Sequence, residues 1–231
     1  MAKHGNRAVS SKSGSADVLK CLGVNIDASL STVERCIEEV GIGFLFAPLM
    51  HKAMKHAAKV RKELGFRTIF NLLGPLTNPA HAHGQVLGVY DSRWVNPLAE
   101  VLRELGSSRA LVVHGFDGLD EITLTSETQV SELKNDKINF FTIDPKEFGY
   151  SLCSAQDLKG GSPEENAEII RGILQGASGP KTDIVVLNAA AAIYVGGKAE
   201  SIERGILVAA NSIRSGAAIK KLEELCRVSN S

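Results

Sequence analysis

Apolar residues recur along this chain at two spacings, one helical and one extended, and the two alternate. Ala16, Val18, Leu19 and Leu22 followed by Gly23 predict a short helix. Val33, Cys36, Ile37 and Val40 share a helical face that Gly41 ends, with Ser31 or Thr32 as the N-cap. The run Ile42-Gly43-Phe44-Leu45-Phe46-Ala47, bounded by Gly41 and Pro48, is continuously apolar and predicts a buried strand. Met50, Met54, Ala57, Ala58, Val60 and Leu64 return to helical spacing until Gly65, with Arg61 bordering their stripe. Residues 66–79 are apolar yet rich in helix breakers, and predict a buried loop that either lines a cleft or runs beneath the core.

The second half is more regular. Residues 85–90 read as a strand, 94–105 as a helix and 109–114 as another strand. A strand, helix, strand series with continuous apolar strands implies parallel pairing covered on both faces. Alternation from 123 to 144, interrupted at Asn135-Asp136, predicts an antiparallel hairpin near a sheet edge. Ser162-Pro163-Glu164-Glu165 is a capping box with proline at the first helical position. Residues 182–195 are apolar nearly all round, with Ala189 to Ala192 allowing close packing, so this is a core helix ended by Gly196-Gly197. Two amphipathic helices over 201–214 and 217–227 complete the chain. The fold class is therefore α/β, a central, largely parallel sheet flanked by helices with an antiparallel hairpin.

Composition narrows the function. The chain has 231 residues, with 26 Lys and Arg balanced by 26 Asp and Glu, which argues against a nucleic-acid partner. No apolar run approaches the roughly 20 residues of a membrane-spanning helix, so no membrane partner is expected. Residues from Lys3 onward lack the apolar stretch of a secretory signal, and Cys21, Cys36, Cys153 and Cys226 are scattered without metal spacing. They read as reduced, mostly buried thiols of a cytoplasmic protein.

Two stretches carry candidate chemistry. Lys3-His4-Gly5-Asn6-Arg7, then Ser10-Ser11-Lys12-Ser13-Gly14-Ser15, gathers cations, glycines and serines before the first helix. Unpaired amides and the dipole at a helix N-terminus favour an anion such as phosphate, although a solvated basic segment leading into a serine-capped helix has the same composition. Gly115-Phe116-Asp117-Gly118-Leu119-Asp120-Glu121 follows the strand over 109–114, and ligands of open α/β sheets bind beyond strand carboxyl ends. Its three carboxylates suit Mg²⁺, which is usually shared between one or two carboxylates, water and substrate phosphates; the alternative is a solvated acidic turn. His81 and His83 read as polar surface, and His114 as a packed strand-end residue.

These words also match a family. Lys3-His4-Gly5-Asn6-Arg7 with Ser10-Ser11 and Gly14-Ser15-Ala16-Asp17-Val18-Leu19 closely resembles the phosphoribosyl-binding segment of anthranilate phosphoribosyltransferases, enzymes of tryptophan biosynthesis. The family's R-x-x-L-G-x-R-T-x-F-N-x-L-G-P-L-x-N-P is reproduced from Arg61 to Pro79, and its H-G-x-D-G-L-D-E from His114 to Glu121. The resemblance implies that anthranilate attacks 5-phosphoribosyl 1-diphosphate and pyrophosphate leaves. It assigns Lys3, His4, Gly5, Asn6, Arg7, Ser10, Ser11 and Ser15 to phosphoribosyl diphosphate, Asn6 and Arg61 to anthranilate, and Asp120 and Glu121 to two Mg²⁺ ions.

The same resemblance makes residues 1–231 an α/β phosphoribosyltransferase domain, with 28–42 contributing to a small helical domain, and implies a homodimer where that helical domain is supplied. Within this sequence the family's helical domain, G-T-G-G-D loop and N-x-S-T segment have no counterpart. The implied diphosphate site is then incomplete, activity is impaired, and the sheet edge by Lys3 and the apolar faces of residues 15–22 and 31–40 lose their cover. Lys52 also stands where the family has proline, adding charge beside the aromatic pocket. Two rivals remain: a pyrimidine nucleoside phosphorylase-like enzyme, which uses phosphate without magnesium and does not need Asp120-Glu121, and a non-catalytic chain acting only by subunit association.

Overall fold

Both spacings become the expected elements across most of the chain. A computed structural model describes residues 1–7, 13–50, 68–80 and 82–231. Among the described residues the order is β1 (Ala2–Gly5), α1 (Ser15–Cys21), α2 (Leu30–Arg35) continued by a π turn over Cys36–Val40, β2 (Gly43–Phe46), α3 (Ala47–Met50) and α4 (Phe70–Leu76). Then come β3 (Gly84–Gly88), α5 (Val95–Glu104), β4 (Arg109–Gly115), β5 (Thr128–Lys134), β6 (Lys137–Ile143), α6 (Ala155–Leu158), α7 (Pro163–Leu174), α8 (Pro180–Val195), α9 (Ile202–Arg214) and α10 (Ala217–Ser229). The chain divides into two units: Met1–His81 with Gly160–Gly172 and Ala217–Ser231, and Ala82–Lys159 with Ile173–Gly216.

In the first unit β1 pairs in parallel with β2, Lys3 opposite Phe44 and Gly5 opposite Phe46. β2 is buried along its whole length, as a continuous apolar run requires. Phe44 and Phe46 pack with Ala16 and Ile26, while Val18 of α1 and Leu22, its C-cap, meet Ala167 of α7. Cys36 and Val40 pack with Val24 and with Leu225 and Val228 of α10. The apolar faces expected to lie bare are thus largely covered by β2, α7 and α10, although Leu30 stays 60% exposed. At β1, the Ala2 carbonyl accepts a hydrogen bond from Asn78 Nδ2 at 3.3 Å.

Two local expectations need correction. The N-cap of α2 is Ser29, whose hydroxyl accepts from the Thr32 amide at 3.2 Å, so Ser31 and Thr32 lie inside the first turn. The segment expected to be a loop over 66–79 contains α4, with Pro75 inside its last turn. Thr77 Oγ1 closes that turn by donating to the carbonyls of Leu73 and Gly74. Most of the helix expected over 50–64, and Arg61 with it, lies outside the described residues.

The second unit holds a four-stranded sheet in the order β3-β4-β5-β6, with β3 and β4 parallel and the other neighbours antiparallel. β4 is buried nearly end to end. Leu111 and Val113 face Leu187, Ala190 and Ala191 of α8, and α5 buries Val95, Leu98, Ala99 and Leu102. Asn135 and Asp136, at φ of 52° and 62°, form the tight turn that joins β5 to the edge strand β6. The capping box of α7 is present, Ser162 Oγ accepting from the Glu165 amide and Glu165 Oε2 from the Ser162 amide. All four cysteines are free thiols, but only Cys36 is buried; Cys21 is exposed at the end of α1. Among the described residues no helix is long and apolar enough to cross a membrane.

Candidate functional site

Lys3, His4 and Gly5 lie on β1, and the chain leaves the strand through Asn6 and Arg7. A tight junction brings this segment against the start of α1: the Ala16 amide donates to the Asn6 carbonyl at 3.2 Å. Gly5 makes the approach feasible, because a Cβ there would stand 2.5 Å from Ser15 Oγ and 2.8 Å from the Phe44 ring. The six described members of the expected phosphoribosyl set, Lys3 to Arg7 and Ser15, therefore form one neighbourhood in the first unit. Ser10 and Ser11 lie outside the described residues.

The electrostatics of this neighbourhood differ from the expectation of empty helix amides. The Gly14 amide donates to Asp17 Oδ2 at 3.2 Å, and the Asp17 and Val18 amides donate to the Gly14 carbonyl. With Ala16 bound to Asn6 as well, little of the N-terminal donor row remains, and the Asp17 carboxylate already occupies the favoured anionic position. A phosphate here must be held chiefly by side chains. Lys3, Asn6, Arg7 and Ser15 are exposed. The Arg7 guanidinium lies over the ring of the buried Phe46, 5.5 Å from its centroid, and 4.0 Å from Asp27 in a solvated ion pair.

In the second unit the acidic loop leaves the carboxyl end of β4 as a closed turn. The Gly115 amide donates to the Leu119 carbonyl at 2.8 Å, and the Gly118 amide to the Gly115 carbonyl at 2.8 Å. Asp117, expected among three cation-binding carboxylates, serves the turn itself. Its oxygens accept from the Leu119 amide at 3.0 Å, the Thr123 hydroxyl at 2.6 Å and the Thr125 hydroxyl. Partial burial pushes the Asp117 carboxyl up, but those donors outweigh it and hold the group below the ordinary aspartate value.

Asp120 and Glu121 are adjacent, exposed and on irregular backbone. Their oxygens are the hard donors that Mg²⁺ prefers. Among the described residues no three of His, Cys, Asp and Glu gather into a metal cage, so the donor set fits an open site completed by water and substrate oxygens. His114 is packed at the strand end, as expected: it is buried and its Nδ1 meets the Val89 carbonyl at 2.7 Å.

Two residues that build this loop escaped the sequence reading. Gly88 ends β3, and a Cβ on it would run into the Asp120 carbonyl oxygen, so the loop passes where only glycine leaves room. Asn188 of α8 accepts from the Ile122 amide at 3.0 Å and donates to the Ile122 carbonyl at 2.8 Å. The available signals were a glycine inside a strand pattern and one amide in an otherwise apolar helix.

Comparison with known proteins agrees with these features. The glycosyl transferase family, a/b domain, matches residues 1–219. An anthranilate phosphoribosyltransferase of Acetivibrio thermocellus is 58% identical over 231 residues, covering all of this chain and 67% of the relative. The crystal structure of the Thermus thermophilus anthranilate phosphoribosyltransferase superposes with a TM-score of 0.94 at 47% identity, over 100% of this chain and 68% of that one. The Saccharomyces cerevisiae enzyme in complex with PRPP and Mg superposes with a TM-score of 0.89 at 30% identity, over 99% of this chain and 64% of that one. The chain thus spans about two thirds of the length of the proteins it matches. With three family motifs in order, the matched fold and this degree of identity, the chain belongs to the anthranilate phosphoribosyltransferases, glycosyltransferases that transfer the phosphoribosyl group of PRPP to anthranilate in tryptophan biosynthesis.

Proposed function

We propose that this chain binds phosphoribosyl diphosphate and anthranilate and transfers the phosphoribosyl group to the anthranilate amine, releasing pyrophosphate. The observation that carries the reading is the closed turn beyond β4, which presents Asp120 and Glu121 while Asp117 is held in the turn. Lys3, His4, Gly5, Asn6, Arg7, Ser10, Ser11 and Ser15 bind the phosphoribosyl part. Asn6 and Arg61 bind anthranilate, the arginine by pairing with its carboxylate. Asp120 and Glu121 hold magnesium, with two ions expected. When bound, the metal neutralises charge on the departing pyrophosphate.

The amine lone pair forms the new bond at the anomeric carbon as the carbon–oxygen bond to pyrophosphate breaks, and the ammonium proton then passes to solvent. No strong general base is needed, which agrees with His114 being engaged by Val89. The residues contribute by positioning two substrates and by placing charge where it develops. We take residues 1–231 as the α/β domain, with 28–42 contributing to a small helical domain, and a homodimer as the assembly. The four free thiols suit a reducing compartment, and we place the chain in the cytoplasm.

The test is pyrophosphate release by the purified chain. Release requiring both anthranilate and Mg²⁺, and lost in D120N/E121Q, supports the proposal. Phosphate-dependent, metal-independent cleavage of a pyrimidine nucleoside would favour the phosphorylase reading instead, and release indifferent to anthranilate would overturn the assignment of acceptor.

A further inference from the structure

We infer that Asn188 is a positioning residue: its carboxamide grips both backbone groups of Ile122 and so fixes the direction in which Asp120 and Glu121 offer their carboxylates to a divalent cation. The inference deepens the metal assignment proposed above and rests on it. Asn188 Oδ1 accepts from the Ile122 amide at 3.0 Å, and Nδ2 donates to the Ile122 carbonyl at 2.8 Å and to the Ile184 carbonyl one turn earlier at 3.0 Å. The carboxamide imitates a neighbouring strand, pairing with one residue of a segment that has left the sheet. No hydrocarbon side chain can do this, and a half-buried asparagine in an apolar helix otherwise carries costs in propensity and desolvation.

The location gives the grip its consequence. Ile122 is fully buried and packs in the core with Leu124, Val130 and Leu187. Side chain and backbone are therefore both fixed at the residue after Glu121. On the other side, the carbonyl of Leu119 is tied to Gly115 and its amide to Asp117. Only Asp120 and Glu121 lie between these two fixed points, and the Asp120 carbonyl rests against Gly88 of β3. A two-residue span anchored at both ends has few backbone conformations, so the directions in which its side chains leave the backbone are set before any cation arrives. Groups that orient metal ligands typically alter affinity by about 10- to 100-fold when removed.

The experiment uses Mn²⁺, an oxygen-preferring octahedral ion, as a paramagnetic probe on the ¹⁵N-labelled full chain. Wild-type chain is expected to lose the amide signals of residues 116–122 first. Asn188→Ala and Asn188→Leu, the second retaining side-chain bulk should the first fail to fold, are expected to need at least about tenfold more Mn²⁺ for the same broadening, with β4 and β5 signals unmoved. Unchanged Mn²⁺ dependence in a folded Asn188 variant overturns the positioning role. If D120N/E121Q broadens like wild type, or wild type shows no selective broadening at this loop, the metal assignment itself fails and the inference falls with it; the silent variant tells the two failures apart.

Discussion

Asp117 shows how one carboxylate in an acidic run can serve the fold, its oxygens taken by the turn that it closes. Its donors favour the ionised form, so its native pKa lies below the unfolded one. The stabilisation is complete above the ordinary aspartate value, about 3.9, and disappears as pH falls through the lower native value. Hydrogen exchange at the Leu119 amide, which donates to Asp117, reads this directly. Protection should hold at neutral pH and collapse in acid below about pH 4, whereas Asp117→Asn should be less protected throughout and lack that acid step. An acid step that persists in the variant would assign the effect to another group.

Gly88 is the second residue-scale device. Its hydrogen atoms face the Asp120 carbonyl, and Gly88→Ala would drive methyl and carbonyl together. The loop must then move, so Mg²⁺ affinity, followed by amide shifts of residues 116–122, should fall by about tenfold or more. An alanine variant with unchanged Mg²⁺ affinity would show that the loop's seat on β3 does not matter.

At the scale of elements, α8 and α9 meet through small residues. A Cβ on Gly205 would lie 2.5 Å from the Ala190 carbonyl oxygen and 3.0 Å from its Cα, all backbone that cannot turn aside. Gly205→Ala should therefore cost about 1–3 kcal/mol, read as a lower midpoint in thermal unfolding. An unchanged midpoint would mean that the helices separate freely. The periodicity of this pair was legible, since residues 182–195 are apolar nearly all round and the following helix is amphipathic. The contact itself was not, because a helical pattern does not say which turn approaches which neighbour. Likewise α4 was hidden by Gly74 and Pro75, because proline lacks the N–H of the i→i−4 bond and reads as a helix breaker, yet Pro75 stands within α4. The cap of α2 was displaced because Ser29, Ser31 and Thr32 are all competent caps and local spacing cannot choose among them.

Across the whole molecule, the readable part of the proposed site was the part written in nearby residues. Lys3 to Arg7 with Ser15, and Asp120 with Glu121, stood out because charge, glycine and order along the chain announce them. Gly88 and Asn188 act on the loop from far away in sequence, through backbone approach and backbone pairing that no local pattern records. The donor row at α1 misled for a related reason: its amides are claimed by Asn6 and Asp17, a matter of three-dimensional closure rather than of composition.

In the proposed function, phosphoribosyl diphosphate is held through a divalent cation at Asp120 and Glu121. Calorimetric titration of the full chain with phosphoribosyl diphosphate, with Mg²⁺ and then with chelator, tests this most directly. The prediction is saturable heat that requires Mg²⁺ and is lost in D120N/E121Q; equal binding in chelator, or full binding by that variant, would contradict it.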